Sequence, residues 1–148
     1  MRWQAVPFTD LDVTQLYELL ALRQLVFVVE QNCVYLDCDG KDRLATHLLG
    51  RDESGQLVAY ARLFAPGASF AEASIGRVTT HPSVRRTGAG RELMQEAIAR
   101  TRTMFGGGPI RIGAQRYLER FYGELGFAIA SEPYDEDGIP HVEMLLAR

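Results

Sequence analysis

The run from Val78 to Arg91, VTTHPSVRRTGAGR, puts a strand-like stretch ahead of a glycine-bearing turn that opens into helical spacing. Glycines let a backbone come close to a ligand, and the free N–H groups of a helix N-terminus favour an anion. Between Arg77 and Arg91 there are four arginines and no acidic residue, so the segment carries +4 in a chain whose formal net charge is −3. A phosphate-bearing ligand fits that contrast. On charge and glycine alone, a solvated turn with its arginines in water fits it too. Two nucleotide motifs are excluded. No lysine follows Gly90 as a Walker A loop requires, and Leu93 stands where a dinucleotide fingerprint needs its third glycine.

Other residues that could do chemistry are scattered. Glu30 closes the apolar run Leu25–Val29 and is either a helix-end surface carboxylate or the wall of a pocket. Tyr122 lies on an apolar helical stripe with Leu118, Phe121 and Leu125, a position that suits a core residue. Arg77, between Gly76 and Val78, either faces a cleft or is an ordinary exposed strand position. Cys33 and Cys38 are too few for a disulfide scaffold or a four-ligand zinc site, so free thiols and no metal are expected. Residues 30–42 carry −3 and residues 132–137 carry −4. Both segments are expected as loops, which either line a cleft that attracts a cation or are simply solvated.

The elements that must position these groups follow from periodicity. Arg2–Val6 reads as a first strand, and Asp12-x-x-Gln15 is a capping box opening a helix that runs to about Val29 or kinks where its apolar phase drifts after Arg23. Residues 31–45 are irregular. Thr46–Arg51 and Leu57–Phe64 form a hairpin around Asp52–Gly55, and Ser74–Thr80 is a further strand ended by Pro82. Leu93, Met94, Ala97, Ile98, Thr101 and Phe105 share one helix face, and Gly106–Gly108 stops that helix. A buried strand, Ile110–Ala114, leads to a helix bearing Tyr117 to Leu125 and ended by Gly126. Strands Phe127–Ser131 and Val142–Leu146 close the sheet. The order predicts an α+β fold, a mixed sheet with helices on both faces.

Length and composition agree with one globular domain over 1–148. The chain has 47% hydrophobic and 24% charged residues, outside the disordered range. A net charge of −3 and a pI near 5.6 exclude an overall basic footprint for nucleic acid or anionic membrane. The longest apolar run is five residues, far below a membrane span, and residues 1–12 hold no signal-like apolar region, so a cytoplasmic location is expected.

At this point the residues resemble a family. Arg85-x-x-Gly88-x-Gly90 between strand and helix is similar to the diphosphate-binding motif of the GNAT N-acetyltransferases, which use acetyl-CoA. Phe121-Tyr122-x-x-x-Gly126-Phe127 resembles the helix and strand that follow it there. Leu22-Arg23-x-x-Val26-Phe27-Val28-Val29-Glu30-Gln31, Asp37-x-Asp39-Gly40 and Asp137-Gly138-Ile139-Pro140-His141 are similar to its ElaA-like branch. The resemblance covers essentially the whole chain and implies a mostly antiparallel mixed sheet.

It also implies roles. Backbone N–H groups around Arg86, Thr87, Gly88, Ala89 and Gly90 would cradle the coenzyme diphosphate, with charge from Arg85, Arg86 and Arg91. The strand Val78–Thr80 would pair with the pantetheine arm, and the Val78 N–H would polarise the thioester carbonyl. Gln115 stands where family members often have a cofactor-contacting asparagine. Tyr122 occupies the general-acid position, and a phenol, with an ordinary pKa of about 10, can donate at neutral pH. An ammonium acceptor must lose a proton before it attacks. Glu30 is the first candidate base, with His81 and His141 behind it. The implied activity is direct acetyl transfer to a small or cationic amine by a monomer or homodimer. The reading from a different class is an acyl-CoA-binding module without turnover.

Overall fold

The computed structural model describes residues 1–147. Its eight strands are β1 (Arg2–Pro7), β2 (Thr46–Arg51), β3 (Leu57–Phe64), β4 (Ala73–Thr80), β5 (Ile110–Gln115), β6 (Ala128–Ile129), β7 (Tyr134–Glu136) and β8 (Ile139–Leu146). They form one sheet in the order β1-β2-β3-β4-β5-β8-β6, with β7 also paired to β8. Every pairing is antiparallel except β4 with β5. Three α-helices accompany the sheet: α1 (Val13–Arg23), α2 (Ala89–Phe105) and α3 (Glu119–Glu124).

β3 is buried along its whole length because helices cover both of its faces. Ala59, Ala61 and Leu63 point to the side of α2, where they meet Leu93, Met94 and Ala97. Tyr60 points to the side of α1, where it meets Leu19 and Leu22. Period-two alternation on a strand with two covered faces gives the continuously buried run LVAYARLF, apolar except for Arg62, rather than an alternating one. Among the described residues no helix is long and apolar enough to cross a membrane.

Local chemistry explains most element ends. At α1 the capping box closes both ways, with Gln15 N–H donating to Asp12 Oδ1 at 2.7 Å and Asp12 N–H donating to Gln15 Oε1 at 3.0 Å. The phase drift after Arg23 has a structural cause. The rod continues as a π-helical segment, Gln24–Glu30, whose wider turn shifts the apolar face. The helix expected over Tyr117–Leu125 is shorter than its stripe: a 3₁₀ turn at Arg116–Leu118 precedes the six residues of α3.

One expectation fails. Residues 132–137 are not simply a loop, because Tyr134–Glu136 pairs with Ile139–His141 as a hairpin. Its turn is Asp137-Gly138, both at positive φ (52° and 79°), as a two-residue mirror-image turn requires. β8 therefore begins at Ile139, ahead of the expected Val142, and the strand expected over Phe127–Ser131 pairs only at Ala128–Ile129.

Candidate active site

Strands β4 and β5 are neighbours over only two residue pairs, Ala73 with Ile110 and Ser74 with Arg111, and then diverge. A bulge in β4 drives the divergence. Against β3, the partners step from Thr79–Tyr60 to Gly76–Arg62, three residues of β4 against two of β3. The bulged residue Arg77 has φ +49°. An extra residue kinks and twists a strand, and here the kink turns β4 away from β5. The gap is a cleft of about 700 Å³, with Ile75–Thr80 on one wall and Ile112, Gly113 and Gln115 on the other. The edge of β4 beyond Ser74 thus faces the cleft without a strand partner on that side.

At one end of the cleft, Gly88 caps α2 in the left-handed region (φ +86°), and a Cβ added there would meet nothing within 4 Å. No well-formed backbone hydrogen bond occupies the N–H groups of Arg86, Thr87 or Gly88, and the first N–H groups of α2, at Ala89, Gly90 and Arg91, have no helical acceptor by geometry. Thr87 Oγ1 donates to the Val84 carbonyl and closes the turn. Arg86 is exposed, and Arg91 is held only at 3.8 Å from Glu124. Val78, Thr80, Arg85 and Gly90 line the cleft, whereas Arg86, Thr87, Ala89 and Arg91 are outside the lining and adjoin Arg85 and Gly90 along the chain.

Glu30 also lines the cleft, but its carboxylate is engaged. Arg85 Nη1 and Nη2 donate to its two oxygens at 2.6 and 2.5 Å, and Arg85 Nη2 donates to the Thr80 carbonyl at 3.2 Å. Hydrogen bonding from Arg85 holds the Glu30 carboxyl below the usual carboxylate range. A carboxylate so paired is a weak proton acceptor, and the pairing places it beside the basic loop.

Tyr122 projects from α3 into the cleft at 6% exposure, its ring packed edge-on against Phe121 and Phe127 at centroid distances of 5.1 and 6.0 Å. The position is both core and cleft wall. Its hydroxyl has no hydrogen-bond partner among the described residues, and burial pushes the phenol well above its usual range, which keeps it protonated. Gln115, on the opposite wall from β4, exchanges a hydrogen bond with Gln31 at 3.3 Å.

The acidic segment 30–42 is not a free negative patch. Arg23 reaches Asp37 at 2.8 Å and Asp42 at 2.6 Å, while Arg62 reaches Asp39 at 2.5 Å and Asp42 at 3.0 Å. Arg77 sits 2.9 Å from Asp37 and 3.4 Å from Asp39, with its guanidinium over the Tyr35 ring at 5.7 Å. Three arginines thus meet three aspartates. Burial opposes ionisation of Asp39 and Asp42, but the donors from Arg62 and Arg23 outweigh it and hold both below the usual range.

The far wall comes from the β7–β8 hairpin, which contributes Glu136, Asp137, Ile139 and His141. Cys33 is tied to it, with Sγ donating to the Asp137 carbonyl at 3.4 Å; both cysteines are free. His81 lies outside the cleft lining and caps a 3₁₀ turn, its Nδ1 accepting from the Ser83 N–H at 3.0 Å. Both acidic segments that the sequence offers as cleft walls do reach the cleft, 132–137 through Glu136 and Asp137 and 30–42 through Glu30, Gln31, Cys33 and Tyr35. Gln31 and Tyr35 carry no individual signal, because they come from an irregular stretch.

Comparison with known proteins agrees with this architecture. Residues 28–148 match the family model described as an acetyltransferase (GNAT) domain. The chain is 43% identical over 145 residues to the UPF0039 protein sll0451 of Synechocystis, covering 98% of this chain and 94% of that protein. A solved acyl-CoA N-acyltransferase from Pseudomonas aeruginosa superposes with a TM-score of 0.92 at 38% identity, over 99% of this chain and 100% of its own. The Escherichia coli ElaA structure gives a TM-score of 0.89 at 40% identity, over 97% of each chain. A sheet split at β4 and β5, a glycine-capped helix at the mouth of the split and these matches lead to one conclusion: the chain belongs to the GNAT acetyltransferase family, in its ElaA-like branch.

Proposed function

We propose that this chain is an N-acetyltransferase that takes acetyl-CoA as donor and passes the acetyl group directly to a cationic amine. The observation that carries the reading is the β4–β5 split, which brings an anion-seeking helix N-terminus and the partnerless hydroxyl of Tyr122 to the same cleft. The N–H groups from Arg86 to Gly90 hold the coenzyme diphosphate, with Arg85, Arg86 and Arg91 supplying charge. The free edge of β4 at Val78 and Thr80 bonds the pantetheine amides as an added strand would. Val78 N–H aligns and polarises the thioester carbonyl. Gln115 contacts the arm from the opposite wall, giving up its bond to Gln31. Glu30 serves on the donor side as the counter-ion that holds Arg85 in place beside the diphosphate. Tyr122 protonates the departing thiolate.

A cationic acceptor follows from which acidic groups remain unneutralised. Asp37, Asp39 and Asp42 are consumed by arginines, so attraction comes from the hairpin, where Asp137 has no ion-pair partner among the described residues and Glu136 is half exposed. The test is a panel of amines incubated with the purified chain and acetyl-CoA, with free thiol as the readout. Amine-dependent thiol release, fastest for cationic amines and slowed by salt, is the expected result. Tight acetyl-CoA binding with no release for any amine would instead favour the binding module, and fast salt-insensitive transfer to anionic amines would remove the cationic assignment.

A further inference from the structure

We infer that His141 is the group that takes the proton from the acceptor ammonium, with Glu136 as its positioning residue; this rests on the acetyltransferase reading above. His141 lines the cleft at 7% exposure, on the wall that the β7–β8 hairpin builds. Its Nδ1 lies 2.7 Å from the Ile139 carbonyl oxygen. A carbonyl only accepts, so Nδ1 carries the proton and Nε2 holds the lone pair. Nε2 makes no hydrogen bond among the described residues and lies 3.4 Å from Glu136 Oε2. In neutral His141 two acceptors face each other. Once Nε2 takes a proton the contact becomes an ion pair, so the geometry is complementary to the state that proton transfer creates. Stacking on Tyr134, at 5.9 Å between centroids and 26° between planes, fixes the ring.

Competing groups outside the hairpin are excluded by position or occupancy, which leaves Glu136, Asp137 and His141 on the hairpin wall. Glu30 is bound by Arg85 through both oxygens, His81 is a turn cap outside the cleft lining, and the aspartates of 37–42 are paired with buried or half-buried arginines. The groups around His141 that titrate or carry charge are Glu136 and Tyr134 on β7 and Asp137 at the turn. Arg116 and Tyr117 lie on the 3₁₀ turn that packs against β8. The position facing it on β5, Gln115, is neutral, and Glu143, two residues along β8 and opposite Gly113, is engaged by Arg111 at 3.0 Å.

The protons balance. The acceptor R–NH₃⁺ gives one proton to His141 Nε2, which passes it to water. The freed lone pair forms the C–N bond at the thioester carbon while the carbonyl π pair moves to oxygen. That pair returns as the C–S bond breaks. Nitrogen loses its second proton, and the sulfur receives one from Tyr122, which is replenished through water. The net products are the amide, the coenzyme thiol and one released proton.

The deciding experiment is His141→Asn, which keeps an N–H able to reach the Ile139 carbonyl and removes the lone pair. At pH 7 the kcat/KM for the amine should fall at least about 100-fold, with acetyl-CoA Kd and Tm unchanged. The deficit should narrow as pH rises toward the acceptor's own pKa, about 10.4 for an alkylammonium, because the amine then arrives deprotonated. Glu136→Gln should lower kcat several-fold in the wild-type background and lower it no further in the His141→Asn background, a non-additivity that neither a packing role nor the loss of its charge from the acceptor wall would produce. If His141→Asn alters Tm, His141→Gln replaces it. A folded, donor-binding His141 variant within threefold of wild type, or a deficit that does not narrow with pH, overturns the assignment. A wild-type chain that binds acetyl-CoA but acetylates no amine overturns the acetyltransferase reading itself, and with it this one.

Discussion

The proposed mechanism gives Tyr122 two jobs, and they are separable. The ring fills a helix–sheet contact between Phe121 and Phe127, while the hydroxyl has no protein partner to lose. Tyr122→Phe should therefore leave stability within about 1 kcal/mol. In the proposed mechanism it removes the proton donor for the thiolate, a role typically worth 10²- to 10⁴-fold. We expect kcat to fall at least about tenfold, the lower bound allowing for water as a substitute acid, with acetyl-CoA affinity unchanged. Steady-state kinetics and a melting curve check both halves, and undiminished turnover would return Tyr122 to a purely structural role. Because burial raises the phenol pKa, wild-type activity should show no alkaline loss from Tyr122 below about pH 10.

At the scale of elements, the segment between the π-helical turn and β2 has little regular structure, yet it forms part of the cleft wall through Cys33 and Tyr35. Ions hold it in place. Arg23 is fully buried and clamps Asp37 and Asp42, so this loop is anchored to α1, and Arg62 and Arg77 anchor it to β3 and β4. Removing one partner of a buried pair strands the other charges, at roughly 3–5 kcal/mol. Arg23→Met should accordingly lower Tm by about 6–20 °C for a domain of this size, measured by thermal unfolding. A drop under about 2 °C would mean that water already reaches the network.

The same network contains a pH-sensitive neighbour. His47 is fully buried, with Nε2 at 2.9 Å from the Asp42 carbonyl and Nδ1 at 2.6 Å from the Tyr60 hydroxyl. The carbonyl accepts, so Nε2 carries the proton and Nδ1 accepts from Tyr60: the ring is neutral. Burial pushes its pKa below the usual value. The unfolded chain therefore takes up a proton near pH 6.5 that the folded chain refuses. The stability due to this group is complete above that pH and is lost as pH falls, at up to about 1.4 kcal/mol per pH unit. Denaturant titrations at pH 7, 6 and 5 should show that slope, and His47→Gln should flatten it.

For the molecule as a whole, a donor that binds only the folded cleft must raise stability by mass action. At about 100 times Kd the gain is roughly 2.7 kcal/mol, or about 5–11 °C for a domain of about 150 residues. Acetyl-CoA should produce that shift and NAD should not. Differential scanning fluorimetry with both ligands tests it, and a shift with NAD alone would contradict the donor assignment.

Patterns that depend on near neighbours were determined by the sequence alone. The capping box, the Asp52–Gly55 hairpin, the amphipathic face of α2 and the glycine-bearing loop all stand where periodicity and turn chemistry put them. The Asp137–Gly138 hairpin is equally local in origin, although the acidic run before it reads as a loop. What only the tertiary structure decided is where side chains distant in sequence meet. Glu30 reads from sequence as either a helix-end surface carboxylate or a pocket wall, and only folding puts Arg85, 55 residues away, on both of its oxygens. The acidic loop reads as either a cation-attracting cleft wall or a solvated run, and only folding brings Arg23, Arg62 and Arg77 onto its aspartates. His141 gained its meaning from Glu136, Tyr134 and the Ile139 carbonyl, which only the hairpin brings around it. Local signals report backbone preference, whereas the charge state and reach of a side chain depend on the partners that folding places within a few ångströms of it.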